Sequence, residues 1–576
     1  MLQTPIFEPL FILNHITMMF QFVTKTVLSI FSSLWIISIT QAQIWTPEKK
    51  QQIAQYMQSI KSDTAGLAIG VVYNGKIVYE QYMGLANLEH QAKVFEKTRF
   101  NIASNAKQFT ALCILKLATE GKLSVKDDIR KYLPKLYPNI ATPITLEQLL
   151  NHTSGIRTSE ELLDLQNKVW WKEVGFSNRD VLRLTEKQKT LNFTPGAEHL
   201  YSNTNYILLA EVVKKVTKKK FSQYAKKLFE DLGMKQTLFK TRYMAVIPHK
   251  ANPYGKWGKN WVVEPSLYKN HGDGNLYTTL LDQLRWEQLI QKPSLLPQWS
   301  KIIQKSQLPI EASKYRKYGY GLMFGTYKGV PYRYHYGQTA AYGATFLRFP
   351  KQGVAIVAMG NNRNLADEQV ADKLATIILG KEVAKKQSFD AQPKKVASKR
   401  NTLKSLEGYY KGMTYGLIIR IKAKGNQLYR EMYQRDPVEM IHEKGDLYRY
   451  SNSDILRMYF SSNKGKSTQF TLYHPEIAPR VFKKLPEFKP TKAYLQAIQG
   501  KFYNDELGVY LNLKYLKDDQ VEVKTANDQY NATLIYKDNL RAGGYQVNLV
   551  WGKDNQLQEL RLKSGRIKNV KFVRVN

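Results

Sequence analysis

The chain has 576 residues, 43% hydrophobic and 23% charged, the balance of an ordinary globular protein of about three domains. That composition excludes a mostly disordered, collagen-like or multi-spanning membrane chain. Lys and Arg total 86 against 48 Asp and Glu, a net charge of +38 spread over both halves, which suits polyanionic surroundings. No zinc-finger spacing or RNA-recognition signature accompanies the charge, so no nucleic-acid partner is expected.

Residues 1–42 read as a secretory signal whose true start is Met18 or Met19. Lys25 supplies the positive charge, Val27–Ile39 is a short apolar stretch, and Thr40-Gln41-Ala42 is a small-x-small pattern with cleavage before Gln43. An uncleaved anchor is the alternative. The expectation is an exported protein, periplasmic or secreted. It is not a lipoprotein, because the single cysteine, Cys113, lies far from the N-terminus. One cysteine makes neither an intrachain disulfide nor a Cys-based metal site, and this one sits in an apolar run as a buried thiol.

Ala65–Tyr73 and Lys76–Tyr82 are β-rich runs joined by Asn74-Gly75, a hairpin signal. Apolar residues at 109, 112, 113, 115 and 117 suit a buried helix that opens near Ser104. Residues 155–300 read as mostly helical, with one helix over Tyr206–Val216. Tyr332–Phe349 and Gly353–Met359 return to strand character, and Asp367–Leu379 reads as a closing helix. A hairpin, helices, then strands and a terminal helix predict an α+β domain over 43–380, with helices packed on an antiparallel sheet.

Residues 381–403 form a Lys- and Gln-rich linker. The β-textured remainder contains an internal repeat. Leu406-Glu-Gly408-Tyr-Tyr is matched 92 residues later by Ile498-Gln-Gly500-Lys-Phe-Tyr, and alternating runs follow at Leu417–Ile421 and Val509–Leu513. The copies close with Arg480–Lys484 and Lys571–Val575. Two small all-β domains, 404–488 and 496–576, barrel-like or sandwich-like, are expected, with one larger barrel as the alternative.

Three triplets carry chemistry. Ser104-Asn-Ala-Lys107 places a hydroxyl and an amine on one helix face. Serine is a poor nucleophile until a base takes its proton, and a desolvated lysine can be that base. The spacing recurs at Ser266–Lys269 and Ser461–Lys464, but only Ser104 opens a long apolar helix. Tyr201-Ser-Asn203 offers a proton relay and an amide that can hold a substrate carbonyl. His335-Tyr-Gly337 falls on a predicted strand: its glycine would let substrate lie close, and the N–H of Gln338 could help form an oxyanion hole. Outside these triplets, His152 and Ser154 read as structural at a helix end. Glu147 belongs to an ordinary helix, and Trp170-Trp171 suits core packing better than a cleft wall.

The order Ser-x-x-Lys, Tyr-x-Asn, His-x-Gly resembles the serine β-lactamase and penicillin-binding-protein-like hydrolases, in their class C β-lactamase, esterase and D-aminopeptidase branch. The flanks resemble them too: Phe100–Pro134, Leu149-Leu-Asn-His-Thr-Ser-Gly-Ile156, Pro195–Tyr206 and Tyr318-Gly-Tyr-Gly321. The resemblance spans roughly residues 50–380. It implies a serine β-lactamase/DD-peptidase-like fold, an antiparallel sheet flanked by helices with a helical subdomain. It also implies that Ser104 is acylated, that Lys107 and Tyr201 move protons, that Asn203, His335, Gly337 and Gln338 bind substrate, and that no cofactor or metal is needed. His335 departs from the lysine that lactamases and many transpeptidases carry. A mostly neutral histidine presents less charge to a substrate carboxylate, which favours an esterase or peptidase over a β-lactamase. The reading is an exported serine hydrolase acting on small esters or D-amino-acid-containing peptides. A β-lactamase, a D-alanyl-D-alanine carboxypeptidase, or a non-catalytic envelope-binding protein are the alternatives. Peptidoglycan or the anionic cell envelope is the expected macromolecular surrounding, and the +38 belongs with it.

Overall fold

The structure is a computed structural model. It describes residues 44–575 except 61–62, 169–173, 266, 268, 311–317, 363–366, 381–400, 414–416, 433–434, 454–455, 464–465, 475–476, 518–519 and 526–527. The signal expected at 1–42, Trp170-Trp171 and nearly all of the linker therefore lie outside the described residues. The chain divides into two compact units. The smaller unites the helix Pro47–Gln58 with the later turns of Asp367–Leu379, where Lys49 Nζ donates to the carbonyl of Ile378 at 2.7 Å. The larger holds everything described below.

Its centre is an antiparallel sheet of eight strands: β1 (Leu67–Tyr73), β2 (Lys76–Met83), β3 (Pro309–Ile310), β4 (Tyr318–Gly319), β5 (Met323–Tyr327), β6 (Val330–Thr339), β7 (Tyr342–Phe349) and β8 (Val354–Gly360), in the spatial order β3-β4-β5-β6-β7-β8-β1-β2. The expected hairpin is β1–β2. Asn74 and Gly75 both take positive φ, 48° and 76°, which is the turn that matches strand twist. β7 and β8 are buried along their whole length, so they read as continuous apolar runs and not as alternating ones.

Helix α1 (Lys107–Thr119) is the other half of the core. All but three of its residues are buried, so it is apolar nearly all round instead of striped. Helix α2 (Asn203–Thr217) packs beside it, burying Thr204 through Val213. Helix α3 (Leu280–Gln291) lies on β1 so tightly that a Cβ on Gly70 would come within 2.7 Å of Leu284. Cys113 is fully buried on α1, and burial pushes its thiol up. The segment around Glu147 is the short helix Leu146–Leu150, opened by a capping box between Thr145 and Gln148.

The C-terminal repeats are two closed, eight-stranded antiparallel barrels, the first over Gly408–Lys484 and the second over Gly500–Val575. Closure removes every free strand edge. The first barrel has a core of its own, built on Tyr410, Phe460, Phe470 and Phe482. The second shares one apolar cluster with the N-terminal α+β region: Phe502, Leu560 and Phe572 pack in it with Leu162, Leu163, Phe176, Val181 and Ile207.

Candidate active site

Ser104 sits in a one-turn 3₁₀ segment, Ala103–Ala106, that leads directly into α1. Ala103, just before it, holds a left-handed backbone at φ 46°. A non-glycine residue there costs roughly 1–2 kcal/mol. Asn101 holds the strained turn by accepting the N–H of Ala103 on Oδ1 at 2.9 Å, and Asn105 Nδ2 ties it to β7 by donating to the carbonyl of Ala344 at 2.9 Å. The turn thus presents Ser104 at a fixed point above the sheet.

Three residues on, Lys107 is completely buried. Its Nζ lies 3.0 Å from Ser104 Oγ and donates to the carbonyl oxygen of Asp273 at 2.6 Å. The same nitrogen is 5.0 Å from the centroid of the Tyr201 ring and 5.7 Å from that of Tyr206. Tyr201 and Ser202 lead into α2, whose first residue is Asn203. The Tyr201 hydroxyl is buried and has no hydrogen-bond partner among the described residues. Asn203 Nδ2 donates to Glu160 Oε1 at 3.0 Å, while its Oδ1 is buried without a hydrogen-bond partner among the described residues. A tyrosine hydroxyl and an amide oxygen left unmet at such a site are groups that a bound molecule would satisfy.

His152 backs this arrangement from beneath. Its ring centroid is 4.2 Å from that of Tyr201, and its Nδ1 accepts the N–H of Ser202 at 3.2 Å. Burial, reinforced by His199 and Lys107, holds it well below the ordinary imidazole range, so it is a neutral platform for Tyr201. Ser154 donates to Asn205 Oδ1 at 2.8 Å, pinning the 150s loop to α2.

Residues 335–338 lie on β6, each in a different situation. Gln338 is exposed and lines the cleft beside Ser104, with Asn101, Asn203, Asn270, Asp273, Asn275 and Thr339. Gly337 is pressed under the Ser104 turn: a Cβ there would stand 2.2 Å from the carbonyl oxygen of Ile102 and 3.1 Å from the nitrogen of Ser104. The room that glycine provides is therefore occupied by the protein's own backbone. His335 is buried, its Nε2 is 3.0 Å from the Tyr318 hydroxyl and its Nδ1 is 2.8 Å from the carbonyl of Tyr336. With both nitrogens engaged inside the protein, it is absent from the cleft lining.

The structure thus brings Ser104, Lys107, Tyr201, Asn203 and Gln338 to one cleft, with Gly337 beneath it and His335 behind it. It adds residues that the sequence reading missed. Asp273 is buried in the cleft wall, where burial pushes its carboxyl up to about 6 against the pull of Lys107. The sign that could have found it is His271-Gly-Asp-Gly274, in which Gly272 takes φ 108° and a Cβ on it would come within 2.7 Å of the carbonyl of Tyr206. Glu160 is buried behind Asn203 and accepts the Thr158 hydroxyl at 2.5 Å as well. Arg566, from the second barrel, lies with its guanidinium carbon 5.5 Å from the Tyr201 ring centroid. Among the described residues, no three His, Cys, Asp or Glu side chains are grouped to hold a metal ion.

An antiparallel sheet crossed by a buried central helix, with Ser-x-x-Lys at the helix start, Tyr-x-Asn at the head of a second helix and His-x-Gly on the facing strand, defines the serine β-lactamase and penicillin-binding-protein class. The Beta-lactamase family model matches residues 50–380, more than half of the chain, and the chain belongs to that family. It is 29% identical over 350 residues to Protein flp of Staphylococcus aureus (strain MW2), covering 58% of this chain and 67% of that protein. It is 30% identical over 279 residues to the penicillin-binding protein PbpX of Bacillus subtilis (strain 168), covering 48% of this chain and 66% of that one. Among solved structures, the octameric penicillin-binding protein homologue from Pyrococcus abyssi shares the fold, with a TM-score of 0.52 at 22% identity over 76% of this chain and 99% of its own.

Proposed function

We propose that the chain is an exported serine hydrolase that works through an acyl-enzyme on small esters or D-amino-acid-containing peptides. The observation that carries this reading is the buried Lys107 Nζ at 3.0 Å from Ser104 Oγ, beside a Tyr201 hydroxyl with no protein partner. In its neutral form Lys107 takes the Oγ proton as the oxygen–carbon bond forms. Tyr201, coupled to it, hands a proton to the leaving group. Water then attacks the ester to Ser104, giving up its proton to the same pair; the Oγ–carbon bond breaks, the pair returns a proton to Oγ, and the acid departs. Asn203 holds the substrate amide through its free Oδ1. The N–H groups of Ser104 and Gln338 face the developing oxyanion, and losing one such donor costs on the order of 10²–10³ in rate.

The burial of His335 supports the ester or peptide reading over the β-lactamase one, because no cation stands at that strand position to meet the carboxylate of a β-lactam. The test is covalent labelling of the mature protein with a fluorophosphonate, with Ser104→Ala as control, followed by an ester and D-peptide screen. Modification at Ser104 that vanishes in the variant is the expected result. A protein that stays unlabelled under conditions that label a known serine hydrolase would sink the enzymatic reading and revive that of a non-catalytic envelope-binding protein. Robust turnover of a chromogenic cephalosporin would favour the β-lactamase instead. The +38 charge, on an exported protein, suits work against an anionic envelope.

A further inference from the structure

Residues 240–263 carry five cations, Lys240, Arg242, Lys250, Lys256 and Lys259, and no acid. The first acid beyond them, Glu264, packs against Gly255 at the base of a hairpin. Among the described residues, the three most exposed large apolar side chains all fall in this stretch: Val246 at 92%, Met244 at 74% and Trp257 at 70%. One exposed apolar side chain is ordinary, but three within a basic run of 24 residues mark a surface.

These side chains stand on two tips. The first is a turn closed by the N–H of Ala245, which donates to the carbonyl of Arg242 at 3.1 Å. Tyr243 and Met244 occupy its corner, where Asn, Asp or Gly is usual. The chain is fixed on both sides of it. Ile247 is buried in the core, and Arg99 Nη1 donates to the carbonyl of Pro248 at 2.8 Å. On the other side Lys240 donates its N–H to the carbonyl of Asn275 and accepts Asn275 Nδ2 on its own, both at 2.9 Å. The second tip is the hairpin of Tyr254–Trp257 with Asn260–Val263, where Gly258 takes φ 61° at the turn and Trp257 stands opposite Asn260. Cations flank the rings: Lys269 Nζ is 5.5 Å from the Tyr243 centroid, and Lys256 Nζ is 5.0 Å from that of Trp261.

We propose that this stretch is a lipid-docking surface whose two tips enter the headgroup region of an anionic bilayer. Apolar side chains that protrude singly among cations fit a fluid, negatively charged surface, which closes around each tip. A protein partner is met by one continuous apolar face, and here the mostly buried run 251–255 separates the tips. Asn275, to which Lys240 is bonded, lines the cleft, and at most about 14 Å of chain leads from Lys240 to Met244. A docked bilayer therefore lies near Ser104.

The test is co-sedimentation with vesicles of equal parts phosphatidylcholine and phosphatidylglycerol at physiological salt. It uses the chain from Gln43 onward, so that the apolar stretch Val27–Ile39 binds no lipid itself. Vesicles of phosphatidylcholine alone should bind at least about ten-fold more weakly. The net charge by itself gives that difference, so the tips carry the decision. Met244→Ser combined with Val246→Ser, and separately Trp257→Ser, each weaken binding about ten-fold. Met413→Ser, at an exposed site on the first barrel, leaves it unchanged. Cys113 is buried, so a polarity-sensitive thiol dye attached through Val246→Cys reports on the tip. Its emission shifts to the blue on the anionic vesicles, whereas the same dye at Met413→Cys does not shift. Absent binding to anionic vesicles, a tip variant that binds as wild type does, or an equal loss in Met413→Ser overturns the proposal. So does a dimer in sedimentation velocity that the tip variants abolish, because a second copy of the chain is then the occupant.

Discussion

The two C-terminal barrels share a repeat of 92 residues and the same order of eight antiparallel strands, yet among the described residues only the second shares an apolar cluster with the N-terminal region. The first keeps its apolar residues to itself. The second lends Phe502 and Phe572 to a cluster that includes Leu162 and Ile207, and receives Arg157, fully buried, against its own Glu506 at 3.4 Å. Gln166 Nε2 adds a bond to the carbonyl of Leu507 at 2.7 Å, and Lys189 pairs with Asp505. A duplicated barrel thus acquires a role through its hairpin tips and one shared apolar face, with its strand framework unchanged.

Core truncation separates the barrels most sharply. Phe470→Ala and Phe572→Ala each remove a buried ring and cost about 3–5 kcal/mol. Calorimetry should show the first variant lowering a transition of the first barrel alone, with Ser104 labelling retained. The second should lower the transition that contains Leu162 and Ile207. One transition shifted equally by both would break the comparison. Arg157→Ala is nearly as severe, at about 3–5 kcal/mol, because Glu506 is then buried without its partner and two barrel carbonyls lose a donor. Denaturant unfolding measures it, and the first barrel should not respond.

Glu161, on the helix Ser159–Leu165, accepts the backbone N–H of Arg566 from the second barrel at 2.5 Å and gives that contact a pH signature. Burial outweighs Arg566 and pushes its carboxyl up to about 7. Between its ordinary value and that one, the folded state keeps a proton that the unfolded chain has released. Stability therefore falls as pH rises through this window, by about 1.4 kcal/mol per unit and roughly 3 kcal/mol in all. Glu161→Gln has nothing to ionise, so relative to wild type it gains that amount between pH 4.5 and pH 7.5 in denaturant titrations. A constant difference across the window would overturn the assignment. Gly565→Ala is the mildest change, about 1–2 kcal/mol for a side chain forced into the left-handed region and against Glu161. It should leave the first barrel's transition where it was.

Much of this was legible in the sequence because it is local. Asn74-Gly75 fixes a hairpin, the apolar run after Ser104 fixes a buried helix, and Asp367–Leu379 emerges with the bounds the pattern gives it. Ser104, Lys107, Tyr201 and Asn203 sit on helix starts, where spacing in sequence becomes spacing in space. The repeat announced two β domains, though not their closure, since a barrel and a sandwich share the same alternation. What stayed hidden depends on distance along the chain. Glu161 and Arg566 meet across four hundred residues, and no periodicity links them. Whether His335 faces the cleft or Tyr318 is decided by a partner seventeen positions away that a triplet does not encode.

The pressure of Gly337 against Ile102 and Ser104 has a consequence for how this cleft can diversify. Position 337 answers to the Ser104 turn and not to whatever is bound, so it is closed to selection for new substrates. The neighbouring positions 338 and 339 line the open side and carry no such debt to the turn. Laboratory evolution of this chain should therefore leave the glycine untouched and find its variation one and two residues downstream, on the same strand.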